Sequence, residues 1–148
     1  MRAVRGGQAG SIPLVINGDV TVTDPNTGLM WQQEGPDSEM TWKEALGHCE
    51  GLSFAGYNDW RLPNREELRS IADYGTYNPA TDTGYFPDTR SSGYWSSTTY
   101  ASNKDDAWFV SFDLGRGDNS GNKSNSRYVR AVRTVLPSHT LTTPTIMA

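Results

Sequence analysis

Apolar positions recur along the chain with two different periods. Trp42, Ala45, Leu46 and Cys49 fall at i, i+3, i+4 and i+7, which puts them on one face of a helix. Thr41 and Glu44 stand at capping-box spacing before that stripe, and Gly51 stands where a helix commonly stops. A second helix is predicted from Asn64, with Glu67 three residues on and Leu68, Ile71 and Ala72 on its apolar face. Pro63 is placed to staple onto Leu68, and Glu66 and Glu67 lie at the positive end of the helix dipole. Elsewhere the period is two. Residues 17–23 alternate, with Val20 and Val22 set against Thr21 and Thr23, and predict a strand. The turn residues Asp24-Pro25-Asn26-Thr27-Gly28 then lead into Leu29-Met30-Trp31-Gln32, so the pair reads as a hairpin. Trp60 and Leu62 share a strand face with Arg61 opposite. Short strands are predicted at 94–98, at 107–114 (Trp108, Val110 and Phe112 on one face, Phe109 and Ser111 on the other) and at 128–135. Residues 74–93 and 115–126 are polar and glycine-rich and read as loops.

These elements delimit a domain over 17–133. Residues 1–16 read as a linker or the tail of a preceding repeat, and 134–148 as a Thr/Pro-rich linker or tail. Arg2-Ala3-Val4-Arg5 returns as Arg130-Ala131-Val132-Arg133, an echo that suggests a tandem parent. The 148 residues suit one domain. Only 35% are hydrophobic while 11% are aromatic, so five Trp and seven Tyr must carry much of the burial. Fifteen Gly and eight Pro point to a loop-rich fold. The net charge of -4 and the absence of a dense run among 13 basic residues argue against nucleic acid and anionic membranes as partners. Nothing approaches the roughly 20 apolar residues of a spanning helix, so no membrane insertion is expected. The single cysteine, Cys49, precludes an internal disulfide, and with only His48 and His139 no usual Cys/His zinc site can be built.

The five tryptophans lie on apolar faces and are expected mainly in the core, whereas Tyr85 and Tyr100 stand in polar surroundings suited to stacking on a ligand. Arg61 and Arg130 are expected to pair with acids such as Asp24, Asp59 or Glu67 and pin loops to the sheet. Anion binding by Arg130 and Arg133 is the lesser alternative. Asp105, Asp106, Asp113, Asp118, Asn119 and Asn122 make an oxygen-rich stretch of the kind that can hold calcium. It lacks the EF-hand spacing and is read as a solvated loop, so no metal site or cofactor is assigned. Arg116-Gly117-Asp118 matches the integrin tripeptide, a three-residue match of little weight. Cys49 lies on an apolar stripe with His48 turned about 100° away around the helix, so it reads as an inert buried thiol.

The separated motifs TVTDPNTGLMW (21–31), Thr41–Ala45, DWRLPNREEL (59–68), YWSST (94–98) and KSNSRYVRAVR (123–133) occur in order. In them the chain resembles the bacterial Lcl C-terminal domain family, named for a collagen-like adhesin, over roughly 17–133. The resemblance implies an α+β, C-type-lectin-like fold: two helices flanking a twisted, mostly antiparallel sheet, loop-rich, with its termini brought together. It also implies kinship with the formylglycine-generating-enzyme fold and the variable proteins of diversity-generating retroelements. The oxidase chemistry of that fold relies on a cysteine pair that this chain lacks. The Glu-Pro-Asn and Trp-Asn-Asp motifs of calcium-dependent lectins are missing from the oxygen-rich stretch. The adhesin binds sulfated glycans, which needs basic contacts. The acidic balance here departs from that, and its ligand is not carried over.

The expected function is a non-catalytic ligand-binding or adhesion module, one unit of a larger secreted or surface bacterial or phage protein. It would be extracellular, at the cell surface or periplasmic, and would recognise a glycan or protein ligand on a cell or host surface, beside neighbouring copies of itself. The alternatives are a metal-assisted enzyme on the same scaffold and a structural repeat of a tandem array. The expected contact surface joins Tyr100, Asp105 and Asp106 to Arg116, Asp118, Asn119, Asn122 and Asn125.

Overall fold

A computed structural model describes residues 12–73, 76, 79–113 and 117–135. The echo at 2–5 and Arg116 lie outside the described residues. The chain folds into two antiparallel sheets with two short helices. The first sheet has the order β1 (Val15–Ile16), β2 (Thr21–Asp24), β3 (Leu29–Gln32) and β7 (Val132–Thr134). The second has the order β4 (Gly93–Thr99), β5 (Asp106–Ser111) and β6 (Gly117–Asn122). The last strand therefore lies beside the third, and both ends of the domain share one sheet.

The predicted hairpin is present. Asp24 pairs with Leu29, the Gly28 N–H donates to the Asp24 carbonyl (2.9 Å), and Gly28 takes φ +75°, which a side chain would resist. Its first strand is shorter than the alternation suggests. Val20 has φ +67° in an exposed turn, because β1 pairs back onto β2 and the chain must reverse between them. Val15–Ile16, read as lead-in, is thus a strand.

Helix α1 (Trp42–Glu50) begins and ends as expected. The Glu44 N–H donates to Thr41 Oγ1, the Thr41 N–H donates to Glu44 Oε1, and Gly51 closes the helix. Helix α2 (Arg65–Arg69) has the same reciprocal cap between Asn64 and Glu67. It stops before Ile71, which is nonetheless buried from the turn that follows.

The expectation of two helices flanking one sheet is corrected. There are two sheets, and the main helix packing is confined to the second, with α1 on β4 and α2 across β4, β5 and β6. The reason is geometric. β3 is buried along its length, with Leu29 and Trp31 in one apolar cluster and Met30 in another, so both sheets and one helix apiece close on each cluster, and no single sheet lies between the two helices. One cluster joins Val22, Trp31, Leu68, Phe86, Tyr94, Val110 and Val132; the other joins Ala45, Cys49, Trp60, Leu62, Trp95, Ala107 and Val129.

A second correction concerns 115–126. Instead of a loop, β6 pairs with β5 from Ser111↔Gly117 to Asp106↔Asn122. GDNSGN has neither alternation nor β-branched residues. Its order comes from the backbone ladder to a hydrophobic neighbour. Among the described residues no helix is long and apolar enough to cross a membrane.

Candidate functional site

The open end of the second sheet is made by two polar turns. Between β4 and β5, the Tyr100 N–H donates to Asp106 O (2.9 Å), and Asn103 Oδ1 accepts from the Asp105 N–H (3.0 Å). After β6, Asn122 Oδ1 accepts from the Ser124 N–H (2.9 Å) and hydroxyl (2.6 Å), and the Asn125 N–H donates to Asn122 O (3.0 Å). The Lys123 N–H donates to Asp105 O (2.8 Å) and ties one turn to the other. The structure thereby brings together Tyr100, Asp105, Asp106, Asn122 and Asn125, of which Asp105, Asn122 and Asn125 are exposed.

Beside this end runs an aromatic ledge. Trp108, half-buried on β5, receives the Tyr100 ring edge-on at 5.2 Å between centroids. The Arg65 guanidinium lies 3.7 Å above the indole, and its Nε donates to Asp118 Oδ2. The Arg65 N–H also donates to Thr98 Oγ1 (3.0 Å), which fixes the first turn of α2 on β4. Burial works against ionisation of Asp118, but donation from Arg65 outweighs it and holds the carboxyl below its usual range. Asp118 therefore belongs to the ledge as the anchor of Arg65. Asn119 pairs with Phe109, which turns it to the opposite face, away from the other candidates. On that face the Arg127 guanidinium rests on Phe109 (3.6 Å) and Trp95 (5.0 Å). Burial lowers the Arg127 pKa.

Arg65 and Trp108 were missed as a unit in the sequence. Arg65 sits in a motif whose spacing speaks only of a helix start, and the alternation around Trp108 sets it with the apolar face of its strand. Trp31, Trp60 and Trp95 are core residues as expected. Of the arginine pairs, Arg61 does meet Glu67 through two bonds (2.7 and 2.8 Å). Arg130 meets Asp88 instead, at 2.8 Å, and Asp59 is taken by Arg133 at 2.6 Å. Asp24 has no basic partner among the described residues.

The oxygen-rich stretch does not converge. Among the described residues no three His, Cys, Asp or Glu side chains stand together as a metal site. Several of its oxygens are already engaged: Asn122 in its turn, Asp118 on Arg65, and Asp113 by the Ser111 hydroxyl (2.6 Å). Cys49 is fully buried, and burial with the nearby Glu50 charge pushes its thiol up to about 12.

A comparison with curated proteins found no match. The family model described as the Lcl C-terminal domain matches residues 20–133, from the turn before β2 into β7, and so takes in the second sheet, the first sheet apart from β1, both helices and the ledge. The chain belongs to the Lcl C-terminal domain family.

Proposed function

We propose that this chain is a non-catalytic recognition module with a C-type-lectin-like topology. Its ligand is a glycan or protein on a cell or host surface, met by the ledge of Tyr100 and Trp108 and the two turns beside it. Two antiparallel sheets, with the first and last strands in the same one, support that topology. The observation that carries the reading is the ledge itself. A partly exposed tyrosine–tryptophan pair, held by Arg65 and Asp118, stands next to the exposed Asp105, Asn122 and Asn125. Rigid aromatic area flanked by adaptable amide and carboxylate groups is how recognition surfaces combine contact area with hydrogen bonding. The reading places the module in a secreted or surface-displayed protein, beside further copies of the same domain. A thiol held protonated to about 12 supports a non-catalytic role for the one cysteine.

The test is a glycan and surface-protein array probed with the whole chain and with Tyr100→Ala and Asn122→Ala. Removing a stacking ring is expected to weaken binding about tenfold or more. Full retention by both variants on the array ligand, with unchanged circular dichroism, overturns the assignment to this ledge.

A further inference from the structure

A recess of about 330 Å³ lies elsewhere, between the lead-in at Ile12–Leu14, the β2–β3 turn, the end of α2 and residues 81–86. Its volume lies in the range of small-ligand sites. Ile71 and Phe86, both buried, contribute to its lining, and Ile12, 52% exposed, forms part of one wall. Tyr85 is half-buried beside them.

Asp24 also lines this recess at only 7% exposure. Its Oδ1 accepts from the Asn26 N–H (2.9 Å) and side-chain amide (3.2 Å), and Oδ2 accepts no bond among the described residues. The described arginine–acid pairs involve Glu66, Glu67, Asp37, Asp59, Asp88 and Asp118, and none reaches Asp24. Asp24 thus presents to the recess a carboxylate oxygen that no described side chain occupies. Asp82 adds negative charge at the exposed edge. The acids are too dispersed to close on a metal ion, since no three group together among the described residues. What such a site matches is a cation with an apolar stem. The stem rests on Ile12 and Ile71 while the head meets Asp24 beside the Tyr85 ring.

We propose that this recess binds a lysine or arginine side chain presented by a partner polypeptide. The chain's own net charge of -4 favours such a partner. The site is separate from the Tyr100–Trp108 ledge and stands or falls without it.

The experiment is a nuclear magnetic resonance titration of the 15N-labelled whole chain at pH 7. The probes are a Gly-Ser-Lys-Ser-Gly peptide, its arginine analogue, its norleucine analogue as the uncharged control, and n-butylamine. The basic peptides are expected to shift the amides of Asn26, Asp82 and Tyr85, and the norleucine peptide is not. Asp24→Asn, which keeps the acceptor for Asn26, is expected to weaken the lysine peptide about tenfold or more, as loss of a charged hydrogen bond does. Asp82→Asn, on the exposed edge, provides a second charge deletion that leaves the interior untouched, and it is expected to weaken binding by a smaller factor. Equal shifts with the norleucine peptide, or unchanged affinity in both variants, overturn the proposal. Butylamine binding as tightly as the lysine peptide overturns the polypeptide as the source of the cation.

Discussion

Arg130 shows how much one side chain can organise. It is 1% exposed, yet both terminal nitrogens of its guanidinium are engaged. Nη1 donates to the carbonyls of Gln32 (2.9 Å) and Gln33 (2.8 Å), and Nη2 to Asp88 (2.8 Å) and Thr89 Oγ1 (3.0 Å). Asp88 also accepts from the Gly35 N–H (2.8 Å). A side chain at Gly35 would bring its Cβ to 2.6 Å from the Val129 carbonyl, so only glycine lets this loop close over the strand. Arg130→Ala would leave one buried and one half-buried carbonyl and a carboxylate without their cation. Chemical denaturation at pH 7 is expected to show a loss of about 3–5 kcal/mol. Arg90→Ala, whose partner Asp37 is exposed, is expected to lose under about 1 kcal/mol. Equal losses would show that burial does not set the difference. The existence of such pairs was legible in the sequence, and Arg61–Glu67 follows from local spacing. Asp88 was not legible, because it is one acid among several in a stretch with no periodicity.

At the scale of elements, the caps carry the helices. α1 has nine residues and α2 five, lengths at which an isolated helix does not hold in water. Each has a reciprocal cap, and each rests on the second sheet. Thr41→Ala and Asn64→Ala are each expected to cost about 1 kcal/mol in thermal or chemical denaturation. Their losses should add in the double variant, since the caps share no partner. Strong non-additivity would show that the two helices are coupled through the sheet. Both helix starts could be read because capping is a contact over three residues. Strand β6 could not be read, because its pairing depends on β5 and its own residues are glycine and polar. The Arg65–Trp108–Asp118 ledge was hidden for the same reason, since its members come from α2, β5 and β6.

Across the whole molecule, arginine–carboxylate pairs tie segments both near and distant in the chain. Arg133 on β7 holds Asp59, Arg61 holds Glu67, and Arg65 holds Asp118 on β6. For Asp59 the hydrogen bond from Arg133 is the chief cause of a lowered pKa. In Glu67 and Asp118 burial opposes ionisation, and the arginine partner with backbone donors outweighs it. Groups with lowered folded pKa values contribute stability above their unfolded pKa and lose it as pH falls through the folded value. Urea midpoints should therefore change little between pH 7 and 5 and fall below about pH 4. The fall should shrink in a variant carrying Asp59→Asn, Glu67→Gln and Asp118→Asn. An undiminished fall in that variant would assign the acid sensitivity to other groups. The hairpin, the two capped helices, the aromatic content of the core and the family can all be read from the order of residues alone, because each depends on neighbours within a few residues or on the order of motifs. Two sheets in place of one, the pairing of β6, the acid that each arginine meets and the position of Asp24 at a recess emerge only in the folded chain. Those outcomes depend on which distant segments compete for the same partner, and local pattern carries no record of that competition.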